Sequence, residues 1–411
     1  MKTQRFPSIT LGVDLLSNET SLPKGAVREA INVDIDRAGN FNRRAGYTKV
    51  VAGTQFHSIK TASLSGLVLV AQAHLLKQFD PSTYALNTVF TMNSDDPVDY
   101  TEHDGNLYAT NKTTLFWLPQ GDSAFRLLGV PTPQSPSLAA TATGGLDSGD
   151  YTVAVTVLDS RGEESGSSDY VAIRLASPGG VAVSNLPTYG ARVRIYITPP
   201  NGEGMYLAKE FASGPSSTSV GDDIRLKKLE TSALEPLPPG NFVRGFNGRL
   251  YTAVDNVLNF SESFRYGLYF PAHNKIRFQD SISFIEPVMD GMFVGAGNRT
   301  YFLAGGDPTQ WKQVPVNGSR PIYGSSVLVP SEHFPDKMIQ SPAPVAVWLS
   351  NTGYFAGLPG GSVVPLQPDR LRIGATSGRS AILFREGRKQ IVTPVNSSTT
   401  VTYGSAVDTS V

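Results

Sequence analysis

Apolar residues in this chain come in short runs that return at fixed distances from a glycine. Gly105 is followed by Leu107 and Tyr108 two and three positions on, and by Leu115 and Trp117 ten and twelve positions on. Gly248 repeats the spacing with Leu250, Tyr251, Leu258 and Phe260, and Gly291 repeats it with Phe293, Val294, Tyr301 and Leu303. Gly66 keeps Val68, Leu69 and Leu76, while Gly353 keeps Phe355 and Val363 but has Pro365 at the twelfth position. A fainter echo starts at Gly378, where 381–384 leads to a turn at Glu386-Gly387 and then Ile391-Val392. A turn glycine, a short apolar strand, a second turn and a second apolar strand predict an antiparallel hairpin.

Gly66 and Gly105 lie 39 residues apart, and Gly248 and Gly291 lie 43 apart. A period of about 40–45 residues built from four short strands is the size of a propeller blade. One such sheet cannot bury both faces, so blades stack on one another. The pattern therefore predicts an all-β chain, a β-propeller of about six blades. Gly105 to Gly248 is 143 residues, one period plus roughly a hundred more, which calls for an inserted domain. Two Pro-rich stretches bound it, Pro131-Thr132-Pro133-Gln134-Ser135-Pro136 and Pro236-Leu237-Pro238-Pro239-Gly240. Between them, alternating runs at 151–157, 170–175, 181–183, 193–197 and 206–211 read as about seven short strands of a β-sandwich. With its Asp-Ser-Arg-Gly-Glu-Glu-Ser turn at 159–165, this segment resembles a fibronectin type III-like domain. The expected domains are 1–132, a leader and the first blades; 133–237, the insertion; and 238–411, the remaining blades with a closing strand in 401–411. Gly291 to Gly353 spans 62 residues, so that blade is expected to carry an extra loop, placed at 331–342. The leader turns at Leu22-Pro23-Lys24-Gly25, and 31–35 alternates as a half-buried strand should.

Composition agrees with many turns and little helix: 40 Gly and 29 Pro in 411 residues, with 17% charged and 40% hydrophobic. Thirty-five basic residues balance thirty-five acidic ones, which argues against affinity built on gripping many phosphates. There is no cysteine, hence no disulfide, thiolate metal site or cysteine nucleophile. The N-terminal residues lack the continuous apolar core of a secretory signal, and no run approaches the roughly 18 apolar residues of a spanning helix.

Candidate chemistry is sparse. The five histidines, at 57, 74, 103, 273 and 333, are dispersed and form no metal-binding spacing. His103 precedes the Asp104-Gly105 turn and reads as part of it. Asp95-Asp96 and Asp222-Asp223 sit in turn-like contexts, and adjacent residues of a strand point to opposite faces, unlike a glycosidase pair. Gly295-Ala296-Gly297-Asn298-Arg299 falls between two strands and reads as a hairpin turn, without the helix that a dinucleotide loop requires. The recurring aromatics at 108, 117, 251, 260, 293, 301 and 355 keep a constant offset from the turn glycine, which makes them core. No enzyme activity, cofactor or metal is expected.

Two stretches carry a family pattern. The leader Gly12-Val13-Asp14, Leu22-Pro23-Lys24-Gly25, Asn32-Val33-Asp34, Gly39 and Arg43-Arg44-Ala45-Gly46-Tyr47 resembles the N-terminal signature of short-tailed bacteriophage tail proteins. So does the central run Phe260-Ser261-Glu262-Ser263, Tyr266-Gly267-Leu268-Tyr269, Ile276-Arg277-Phe278, Asp290-Gly291 and 297–305. The chain resembles the nozzle or packaged-DNA stabilisation proteins of those tails. The resemblance implies a homo-oligomeric ring, usually sixfold, in the virion, assembled in the host cytoplasm. Such a ring extends the portal–adaptor channel, touches other tail proteins, retains packaged double-stranded DNA without reading its sequence, and involves no membrane. Many nozzle proteins are longer, which leaves fibre contacts and a distal gate unassigned. Arg43 and Arg44, with Arg161, Glu163 and Glu164 of the insertion's loop, are the candidate subunit or partner contacts. Two alternatives stay open: a structural propeller of the distal tail or baseplate, and a glycan-binding or glycan-cleaving propeller.

Overall fold

The computed structural model describes residues 9–397 except 10, 36–39, 44–45, 47, 222–226, 335–338, 367–370 and 386–387. The second arginine of the leader pair (44), the Asp222-Asp223 pair, the turn at 386–387 and the expected closing strand all lie outside the described residues. Among the described residues the regular elements are strands and four single-turn 3-10 helices. The protein is all-β.

Five four-stranded antiparallel sheets follow one plan, each strand pairing with the next along the chain. The first meander is Phe56–Thr61, Val68–Gln72, Leu75–Phe79 and Leu86–Thr91; the second is Asp99–His103, Asn106–Asn111, Thr114–Leu118 and Arg126–Leu127. The third is Phe242–Phe246, Arg249–Val254, Val257–Phe260 and Lys275–Arg277. The fourth is Ile282–Val288, Gly291–Ala296, Arg299–Ala304 and Gln313–Asn317, and the fifth is Val327–Val329, Val345–Ser350, Gly353–Gly357 and Val363–Pro365. A sixth segment forms nested hairpins, Ala375–Gly378 with Val395–Ser397 around Ala381–Arg385 with Arg388–Val392.

The turn chemistry explains the repeat. Asp104-Gly105 and Asn247-Gly248 have φ of 46° and 77°, and of 47° and 67°. Positive φ at both central residues marks the two-residue hairpin turn whose twist matches its flanking strands. Two and three residues beyond these glycines the chain is already in the second strand, which is buried on both faces. Tyr108 pairs directly with Trp117 across the second and third strands, and Tyr251 with Phe260, Phe293 with Phe302 and Trp348 with Phe355 do the same. The aromatics at 108, 117, 251, 260 and 293 are core, as their spacing implied, whereas Tyr301 and Phe355 are half-buried and Phe302 takes the place opposite Phe293. Gly353 departs from the plan. It opens the third strand of its meander, whereas Gly66, Gly105, Gly248 and Gly291 mark the turn between the first and second. The 62-residue interval thus combines a one-strand offset with a long interval between Val329 and Val345, where the expected loop at 331–342 lies partly outside the described residues.

The chain divides into two compact units, one spanning Gln55–Arg277 and the other joining the segment up to Thr54 to the chain from Phe278 onward. Within the first, the three meanders pack side by side. Ser58 Oγ accepts from Val98 N at 2.8 Å, and Glu102 accepts from Ser63 N at 2.7 Å, joining the first meander to the second. Thr110 Oγ1 and Gly240 exchange hydrogen bonds at 3.1 Å, and Asp99 Oδ2 accepts from Val243 N at 3.0 Å, joining the second to the third. Within the other unit, Phe284, Phe293, Phe302 and Trp348 form one core between the fourth and fifth meanders, and Ser326 Oγ donates to buried Glu286 at 2.9 Å. Val329, Val345 and Val347 of the fifth meander pack with Ile382 and Ile391 of the nested hairpins.

The segment between the second and third meanders is a β-sandwich. Its seven strands are Ser137–Leu146, Gly149–Leu158, Val171–Leu175, Gly179–Ser184, Arg192–Ile197, Tyr206–Ala212 and Ser217–Val220. The first, fourth and seventh form one sheet; the third, second, fifth and sixth form the other. Val153, Val155, Val193, Ile195 and Ile197 pack from one sheet against Val181, Val183 and Val220 of the other. In immunoglobulin-type sandwiches the first strand pairs with the second. Here the first strand pairs with the fourth, and the larger sheet runs in the order third, second, fifth, sixth, so the expected sandwich is present.

The two ends of the insertion meet. A Cβ on Gly129 would lie 3.3 Å from Pro236 Cβ and 2.6 Å from Gly267 O. Replacing 131–236 with a short Gly/Ser bridge is therefore expected to leave the three meanders folded, with a cooperative urea transition. Non-cooperative melting of that variant contradicts an insertion.

Candidate interaction groove

One concavity of about 350 Å³ gathers charged side chains from several elements, among them Glu163, Arg194, Lys227, Glu230 and Arg265. It lies inside the first unit, between the sandwich and the loop that follows Phe260. The linker residues Gly129 and Val130 form its floor.

On the sandwich side, the turn at 159–165 is shaped by Asp159, whose Oδ1 accepts from Arg161 N at 2.8 Å and Glu163 N at 2.9 Å. The acidic residue thereby satisfies backbone donors that a tight turn leaves over. Glu164 then lies over the outer face of the four-stranded sheet of the sandwich. Its Oε1 accepts from Thr156 Oγ1 and Tyr196 OH, both at 2.7 Å, and its Oε2 meets Arg194 Nη1 at 2.5 Å. Arg194 also donates to Glu210 at 2.7 Å, and Arg192 reaches Glu210 at 3.0 Å. Burial opposes charge on Arg194, but Glu210 and Glu164 outweigh it and hold the proton more firmly than usual. Burial and Glu164 together push the Tyr196 hydroxyl up, and the Arg194 hydrogen bond holds Glu210 below the usual carboxylate range.

On the meander side, buried Ser261 accepts from Leu250 N at 3.0 Å, and Glu262 accepts from Asn274 at 2.7 Å. These anchor the loop at 262–268. Tyr266 donates to Asp104, and Arg265 pairs with Glu230 across the groove. Phe264, 75% exposed, stands on Gly248.

The sequence candidates are thus distributed unevenly. Arg43 is exposed at the end of the strand Phe41–Arg43, which pairs with Val33–Ile35, and Arg44 lies outside the described residues. Arg161 is occupied within its own chain: its guanidinium lies 2.9 Å from Asp122 and 5.3 Å over the Trp117 ring. Glu164 is internal. Glu163 lines the groove, where burial and Asp159 push its carboxyl up against the opposing effect of Arg161. The loop at 161–164 therefore serves chiefly to tie the sandwich to the second meander and to itself. Arg194, Lys227, Lys228, Glu230, Arg265 and Tyr266 were missed. Arg194 and Glu210 face each other across two strands that alternate correctly in the sequence, but only the register reveals the pair.

Among the described residues no three His, Asp or Glu side chains gather as metal ligands. The groove offers mixed charges, among which Arg194 pairs with Glu164 and Arg265 with Glu230. Truncating Glu164 to alanine is expected to destabilise the sandwich by about 1–3 kcal/mol, because Arg194 loses one carboxylate and keeps the other. Urea denaturation measures this, and a change below about 0.5 kcal/mol contradicts the internal role.

No family model matches this chain, and no curated protein matches it. Among solved structures it is similar to the Neurospora crassa Pan2 WD40 domain, at 10% identity over 79% of this chain and 85% of that one, TM-score 0.29. It is also similar to virginiamycin B lyase from Staphylococcus aureus, at 10% identity over 83% and 91%, TM-score 0.32. The N-terminal domain of Nup159 matches at 15% identity over 80% and 71%, TM-score 0.27. Scores of this size leave the architecture to be read from the strand pairing itself.

Proposed function

We propose that the chain is a non-enzymatic structural protein of a bacteriophage tail, a six-bladed β-propeller with an inserted sandwich. Within the tail we assign it to the nozzle, a sixfold ring that extends the portal–adaptor channel and retains packaged DNA until ejection. The observation that carries this reading is the location of the residues on which the tail-protein resemblance rests. They hold scaffold together. Asp14 is 2% exposed and accepts from Leu16 N at 3.0 Å and Ser17 N at 2.9 Å. Arg28 donates to Ser17 O at 2.7 Å, and Gly25, at φ 90°, completes the Leu22–Gly25 turn. In the central run, Ser261 and Glu262 anchor the loop beside the groove, and Gly267 meets the insertion linker. A balanced charge suits a duct past which DNA slides without sticking.

Phage grown without the chain are expected to yield heads that package DNA and then lose it. DNA-filled, infectious particles contradict the reading. Release of sugars from host polysaccharide by the purified chain overturns it in favour of a glycan-cleaving propeller.

A further inference from the structure

The loop at 262–268 fastens the sandwich's exit. Leu237 N donates to Gly267 O at 2.9 Å, and Glu235 and Pro236 pair with Tyr269 and Leu268. That loop is in turn held to the second meander through Tyr266. Its hydroxyl donates to Asp104, its ring edge meets His103 at 5.5 Å and 74°, and it meets Tyr108 at 5.6 Å and 68°. His103 is enclosed. Its side chain is 16% exposed, and a Cβ on Gly245 would come within 2.2 Å of its ring, so only glycine leaves it room. Its Nε2 is buried without a hydrogen-bond partner, 3.8 Å from Asp104 Oδ2.

We propose that His103, Asp104 and Tyr266 form an acid-released latch between the sandwich and the meanders. A neutral imidazole fits this pocket, whereas an imidazolium without a hydrogen bond does not. Asp104 is half-exposed, and its carboxylate lies within reach of the His103 Nε2. On protonation its carboxylate turns to the imidazolium. The Tyr266 hydroxyl then loses its acceptor, and the loop at 262–268 loses its hold. The other charged groups near this corner are committed. Glu102, on the same strand, binds Ser63 and faces Lys60 at 4.0 Å, and Arg244 of the third meander is held by Asp99. From the sandwich, Arg161 is held by Asp122, and Glu163 lines the adjacent groove beside Tyr108. Burial lowers the His103 pKa, with Asp104 opposing in part. A depressed histidine favours the neutral, latched form. Latching is thus complete above the free imidazole value of about 6.5 and is lost as pH falls below it.

The natural chain has no cysteine, so Ser65→Cys in the first meander and Ser216→Cys in the sandwich give two clean dye sites. Energy transfer between them is expected to change between about pH 7.5 and about pH 5. Tyr266→Phe should bring the neutral-pH value to the acid one, and His103→Asn should abolish the response. Equal transfer at both pH values, or a full response retained in His103→Asn, overturns the latch. Circular dichroism of both variants at neutral pH separates unlatching from unfolding.

Discussion

Asp99→Ala is expected to lower the unfolding free energy by about 3–5 kcal/mol, the usual effect of stranding one member of a buried ion pair. Asp99 is 5% exposed, and its Oδ2 meets Arg244 Nη1 at 2.5 Å and Val243 N at 3.0 Å. Its removal takes the carboxylate from a guanidinium that is only 13% exposed and that keeps its hydrogen bond to Val243 O. The two partners lie on opposite sides of the insertion in sequence and on adjacent meanders in space. The effect therefore reports on lateral packing. Asp99→Ala combined with Arg244→Met should recover part of the loss, since well-packed apolar residues replace buried pairs at little cost. A urea-measured change below about 1 kcal/mol for Asp99→Ala contradicts the seam.

In the other unit the largest effect is expected at Trp348. Its indole is fully buried, with Phe284 at 5.3 Å, Phe293 at 5.7 Å and Phe355 at 6.2 Å. Trp348→Ala should cost about 3–5 kcal/mol through lost burial and the cavity left behind. Trp348→Phe should cost much less than its volume implies, because the buried Nε1–H has no acceptor and its deletion relieves a desolvated donor. Denaturation midpoints of the two variants decide this. Equal losses would mean that the indole nitrogen is satisfied by a bound water and that the seam between the fourth and fifth meanders is wetter than described.

The meander plan was legible because it rests on local chemistry. Asp104-Gly105 and Asn247-Gly248 dictate hairpins whatever surrounds them, and the aromatics at 108, 117, 251 and 260 follow from strand alternation. The sandwich was legible from its alternating runs, but its strand order was not, since which strand neighbours which depends on contacts far apart in sequence. The same limit misplaced Gly353 by one strand: a glycine at the right offset does not say which turn it occupies. The groove was the least legible feature. Arg161 and Glu164 stood out as charges in a loop, which suggested an outward-facing surface. Their partners Asp122, Trp117 and Arg194 come from other elements, and those contacts commit both residues within the chain.

We propose that six copies of this chain form a ring at the head of a phage tail. Electron microscopy of particles carrying this chain tests it most directly. The account predicts a sixfold band of density beside the portal vertex, into which the meanders and the sandwich fit. Density confined to the distal tip of the tail, or none in the particle, contradicts it.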